Sequence, residues 1–271
     1  MNTFHPVLLC GALSLTLIGC GDKDTGSAVT APGAQESAKT KVLEAGAALV
    51  QNKPPIEAIN AYLNGFHFYS GKMNVQMEAH HYCSILNEEV IQCVIYDGNV
   101  KDAKIMGVEY IISAKLFSAL PDAEKALWHS HVHEVKSGQL IAPGIPQIAE
   151  HELMEKLVHT YGKTWHTWHT DLNKALPIGV PQLMMGFTAD GQADQKMVDA
   201  RDARFNVQSA QKRESRADIA APSIHPKADS WQHGKPVQID DPTGAPHAAQ
   251  HATPAPRAPS APSSNAQSAR P

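Results

Sequence analysis

A chain of 271 residues, 42% of them hydrophobic and with a formal net charge of -4, suits one domain of ordinary size with flanking segments. The mild acidic balance and the lack of a basic cluster exclude the electrostatic footprint of a nucleic-acid binder. No P-loop, dinucleotide or Gly-x-Ser-x-Gly fingerprint is present, so nucleotide binding and common hydrolase motifs have no support.

Residues 7–18 form an almost wholly apolar run, about as long as a signal-peptide core and too short to span a bilayer. The run ends in Leu17-Ile18-Gly19-Cys20, the pattern of a bacterial lipobox, whose cysteine takes diacylglycerol and becomes the new N-terminus. One departure is that residues 1–6 carry no Lys or Arg where a positive segment is expected. The expected organisation is a lipoprotein signal peptide over 1–19 and a flexible tether with lipidated Cys20 over 20–40. By resemblance to known lipoproteins, Gly21 after the cysteine directs the chain to the bacterial cell envelope, at the periplasmic face of the outer membrane. The expected partner is then the membrane, through the anchor.

A single domain is expected over 41–215. Leu43, Ala47 and Val50 share a helical face, Pro54-Pro55 stops that helix, and a second short helix is read over 56–63. Segments 66–70, 75–86, 90–96 and 105–112 are rich in aromatic and β-branched residues and separated by turn signals. Helix returns over 115–127, interrupted at Pro121, and again over 147–160; late strands are read over 164–171 and 183–187, and a charged helix over 194–213. This order predicts an α+β domain with a largely antiparallel sheet and flanking helices. Ten of the nineteen prolines lie at or beyond Pro222, and segment 216–271 reads as a Pro/Ala-rich disordered tail.

Candidate chemistry centres on His129, His131 and His133. On a strand, alternate residues share a face, so the three imidazoles form either a metal-site pattern or a polar strand face. A hairpin turning about Glu88 makes Cys83 and Cys93 cross-strand partners; a disulfide, two buried thiols and metal ligation all remain open for that pair. His80 and His81 point to opposite faces, His80 with Glu78 and His81 with Cys83. A site joining His129 and His131 to His80 and Glu78, or to His81 and a cysteine, would suit zinc, iron, copper or nickel. His67, between two phenylalanines, reads as a core-edge histidine. The tandem Trp-His-Thr over 165–170 reads as packing at a core margin.

Several blocks in order carry a family resemblance: Phe66-His67-Phe68-Tyr69-Ser70-Gly71, Glu78-Ala79-His80-His81-Tyr82-Cys83, Gln92-Cys93-Val94-Ile95-Tyr96-Asp97, Gly107-Val108-Glu109-Tyr110-Ile111, Trp128-His129-Ser130-His131 and Leu176-Pro177. Over roughly residues 60–190 the chain resembles the oil-body-associated protein family, known from the lipid-droplet surface of plants and without an established activity. His133 departs from the pattern of that family. The resemblance implies a lipid-associated role and fits a binding module for a metal ion, an apolar or lipid ligand, or a protein partner. The alternative is a metal-dependent enzyme using His129 and His131, with Glu78, Glu109 or Glu134 as base or ligand.

Overall fold

A computed structural model describes residues 23–234 and 236–240. Cys20 and the chain beyond residue 240 lie outside the described residues. Two helices come first, α1 (Ala38–Val50) and α2 (Pro54–Glu57), followed by four long strands, β1 (Ala61–Tyr69), β2 (Lys72–Asn87), β3 (Val90–Tyr96) and β4 (Ile105–Ser113). Short helices α3 (Ala114–Ser118) and α4 (Asp122–Lys125) lead to β5 (His129–Ser130), α5 (Val132–Ser137) and α6 (Gln147–Leu157). The order ends with β6 (Thr160–His166), β7 (Gln182–Met185), α7 (Gln195–Phe205) and α8 (Ser209–Ser215).

The sheet runs β4-β3-β2-β1-β7-β6-β5, and a further pairing of β4 with β6 closes it into a barrel. All pairings are antiparallel. Closure leaves no long free edge and creates an interior that only alternate residues of each strand can reach. The seam needs Gly107, since a Cβ there would lie 2.9 Å from the backbone of His166. One end of the interior is filled by Leu63, Ile91, Ile111 and the pair Cys83 and Cys93, against Leu157 of α6 and Val135 of α5. The other end is filled by Tyr69, Met77, Ala79, Ile95 and Met184. Outside, Phe66 and Phe68 pack with Leu183, Met185 and Val198 beneath α7.

Cys83 stands opposite Cys93 in the β2–β3 register, and the two sulfurs are bonded. The helix expected over 56–63 is cut short: α2 ends at Glu57 and β1 already begins at Ala61, because tertiary pairing with β2 outweighs the helical spacing of three apolar residues. Similarly, helix 147–160 stops at Leu157 and Thr160 starts a strand. The first helix forms, with Ser37 accepting from the Thr40 amide as its cap, yet none of its residues is buried.

The histidine strand is the main correction. Only His129 and Ser130 are extended; His131 sits at the N-terminus of α5, and His133 lies within that helix. The three imidazoles therefore do not share a face by alternation. Nor does the ordered chain end at residue 215. Arg216, Ile219 and Asp229 are buried, and Arg216 donates to the carbonyls of Val135 and Leu140 at 2.9 Å. A Pro-rich composition argues against a core of its own, but this strap is ordered by the barrel it crosses. Among the described residues, no helix is long and apolar enough to cross a membrane.

Candidate metal centre

Midway along the barrel the interior changes from apolar to polar. Glu109 on β4 is 2% exposed, and four imidazoles surround its carboxylate. His81 Nε2 lies 2.9 Å and His67 Nε2 3.9 Å from Oε2. His131 Nε2 lies 3.1 Å and His129 Nε2 3.5 Å from Oε1. β1, β2, β4 and β5 supply His67, His81, Glu109 and His129 by alternation. His131 arrives differently. The Ser130 hydroxyl accepts the Val132 amide, and the Val135 amide bonds the His131 carbonyl, so the chain turns sharply from β5 into α5 and brings His131 back over the interior. Gly138 in the left-handed conformation ends that helix after six residues.

Two glycines make room. A Cβ on Gly162 would collide with Glu109 Oε1 and lie 2.8 Å from His131 Nε2. A Cβ on Gly186 would collide with Glu134 Oε1 and lie 3.0 Å from His129. Between the side chains is a cavity of about 10 Å³, lined among others by His67, His81, Glu109, His131 and Glu134, which is room for one water-sized occupant.

Protonation can be assigned from the hydrogen bonds of His131. Thr160 Oγ1 donates to the Leu157 carbonyl at 2.7 Å, so its lone pair accepts from His131 Nδ1 at 2.8 Å. Nε2 is then left as the nitrogen facing Glu109 Oε1. Two lone pairs 3.1 Å apart repel, so a cation, either a proton or a metal ion, belongs between them. A metal-ligating histidine typically donates its other N–H in this way.

The surrounding electrostatics leave that cation in demand. Burial opposes the charge of Glu109, but its contacts with His131 and His81 outweigh burial and hold the carboxyl well below its usual range. Burial pushes His129 and His166 down to about 3 and lowers His67 strongly, which keeps these rings neutral and their lone pairs available. Among the described residues no lysine or arginine pairs with Glu109. Both ring nitrogens of His81, His129 and His166, and Nδ1 of His67, are buried without a hydrogen bond, a costly state unless something else satisfies them. The His81 contact with Glu109 is short, yet neither His81 nitrogen makes a hydrogen bond of good geometry. Glu134, fully buried and beside Glu109 and Asp229, is pushed well above the usual carboxyl range.

Of the residues singled out in the sequence, the structure brings His81, His129 and His131 together. His80 and Glu78 face outward instead. His80 Nδ1 bonds the Tyr62 hydroxyl at 2.7 Å, while Glu78 pairs with Arg204 and accepts from Asn64. His133 lies 3.9 Å from Asp190, away from the interior. His67, read as a core-edge histidine, points into the barrel, and His166 of the Trp-His-Thr tandem packs against it with ring centres 5.5 Å apart. The signal for His67 was its spacing: Leu63, Gly65, His67 and Tyr69 alternate onto one face of β1.

The fold and site define a closed antiparallel barrel whose interior carries buried histidines and glutamates that could hold a metal ion. The chain belongs to the family described as "Protein of unknown function (DUF1264)", whose model matches residues 53–220. It is 43% identical over 217 residues to oil body-associated protein 1B of Arabidopsis thaliana, covering 79% of this chain and 90% of that protein. It is also 44% identical over 213 residues to oil body-associated protein 1A of Zea mays, covering 78% and 90%, and 39% identical over 214 residues to oil body-associated protein 2A of Zea mays, covering 77% and 85%. No solved structure shows a significant match.

Proposed function

We propose that this domain is a metal-binding module that encloses a divalent transition metal inside the barrel and is held at a lipid surface of the bacterial envelope. The observation that carries the metal reading is the hydrogen bond of His131 Nδ1 to Thr160, which leaves Nε2 facing the Glu109 carboxylate with a place for a cation between them, beside buried imidazole nitrogens of His67, His81 and His129 that have no hydrogen bond. Imidazole and carboxylate donors suit zinc, iron, copper, nickel or manganese rather than calcium. With ligand residues no more than 6% exposed and one water-sized cavity, any turnover at this centre is confined to water-sized molecules. That geometry favours a binding module over an enzyme acting on an organic substrate.

Metal analysis of the full chain, purified without a polyhistidine tag, tests this. At least one equivalent of transition metal per chain is expected, with a rise in Tm when zinc, copper or nickel is added to stripped protein. Absence of both removes the metal reading.

The lipid part rests on the lipobox ending at Cys20 and on α1, whose Val42, Leu43, Leu49 and Val50 are all more than 60% exposed. Relatives bearing the name oil body-associated are compatible with it. Labelled palmitate should enter the wild-type chain and be absent from Cys20→Ser; incorporation that survives the substitution contradicts the anchor.

A further inference from the structure

Resting on the metal reading, we infer that the barrel holds two metal ions, with Glu109 bridging them through its two carboxylate oxygens. The four imidazoles divide by oxygen. His81 and His67 approach Oε2 at 2.9 and 3.9 Å, whereas His131 and His129 approach Oε1 at 3.1 and 3.5 Å. Bonds of about 2.1 Å to one ion put neighbouring ligand atoms about 3.0 Å apart in an octahedron and about 3.4 Å apart in a tetrahedron. Three of the four nitrogen–oxygen distances, those of His81, His131 and His129, fall near those edges, and His67 at 3.9 Å stands just outside them on the Oε2 side.

Donor number points the same way. Glu134 Oε1 is buried without a hydrogen bond, and a carboxylate oxygen of Glu134 lies within 4.8 Å of ligand nitrogens of both His129 and His131, which gives the Oε1 side a fourth donor. For zinc, four imidazoles and two carboxylates exceed the four ligands that one closed site takes. The water-sized cavity is lined by residues of both halves, His67 and His81 as well as His131 and Glu134. It leaves room for one solvent-derived ligand between the two halves. The glycines at 162 and 186 both clear space on the Oε1 side, the first beside Glu109 Oε1 and His131 and the second beside Glu134 and His129.

The experiment uses cobalt(II) as the probe. The full chain in detergent, stripped of metal, is saturated with cobalt, and bound metal and electron paramagnetic resonance are measured together. Two cobalt ions per chain are expected, with a signal reduced well below that of two isolated ions by exchange through the bridge. His67→Asn with His81→Asn should halve the stoichiometry to one and restore the uncoupled signal; Glu109→Gln should abolish the coupling. One cobalt per chain at saturation, with a full uncoupled signal, overturns the bridged pair and leaves the metal-binding module standing. A second equivalent that survives the double substitution lies elsewhere and also overturns it. No cobalt at all overturns both readings. Coupling is read on the unsubstituted chain, so the outcome stands even if a variant misfolds.

Discussion

His80 and His81 are adjacent in sequence, buried on opposite faces of β2, and each lies beside a glutamate, yet their surroundings differ in kind. Outside the barrel, Glu78 has a guanidinium partner in Arg204, and Asn64 links it to Arg201, which donates to Asn64, Gln139 and Ser209. Inside, Glu109 has only imidazoles; burial keeps His67 and His129 neutral, and nitrogens of His67, His81 and His129 have no hydrogen bond. Burial of a histidine next to a carboxylate is thus no signature of a site. The distinction is whether the counter-charge is already supplied by the chain: on the outer face it is, and on the inner face it is left to a proton or a metal ion.

Substitutions on the two faces should separate stability from metal binding. The largest effect is expected for Arg201→Met. It strips a fully buried cation from Asp202 and Asn64, and breaking such a network costs about 3–5 kcal/mol, to be read from urea unfolding with metal content unchanged. Glu109→Gln should do the reverse. Here the metal-linked gain is what is lost: the stabilisation that a bound ion gives, about 2.7 kcal/mol at a hundredfold excess over Kd, disappears from thermal melts. If Arg201→Met released metal, or Glu109→Gln left the metal-linked gain intact, the contrast between the faces would fail.

A third contrast concerns pH in the metal-free protein. Burial lowers His166 from 6.5 to about 3, so the unfolded chain binds its proton first as the solution is acidified. Its contribution to stability is present above pH 6.5, falls through the window down to about 3, and is absent below it. Compared with His166→Phe, the wild type should therefore lose stability on acidification across that window. Equal pH profiles for the two proteins would show that this ring is not held neutral by the fold.

Much of the barrel was legible because hairpins are local. The register pairing Cys83 with Cys93 follows from one turn and a period of two. Closure was not, since β4 meets β6 across some fifty residues and no local pattern marks which edges join. The same limit hid most of the site. Alternation in β1 and β4 puts His67 and Glu109 on definite faces, but only closure makes those faces the inside of one barrel. The His-x-His pattern located the right segment for an incomplete reason: His129 is delivered by a strand and His131 by the first turn of a helix. Ser130 and Gly138 carry that turn, and their signal is weak beside three alternating histidines. For the strap after residue 215, composition described the chain in isolation and not the surface that orders it.

X-ray absorption at the edge of the bound metal tests the central claim most directly, because it reports which side chains hold the ion. The belt around Glu109 predicts multiple scattering from at least two imidazoles per ion, with nitrogen at about 2.0–2.1 Å, lost in Glu109→Gln. A shell of oxygen alone, unchanged in that variant, would place the metal on the surface and contradict the account.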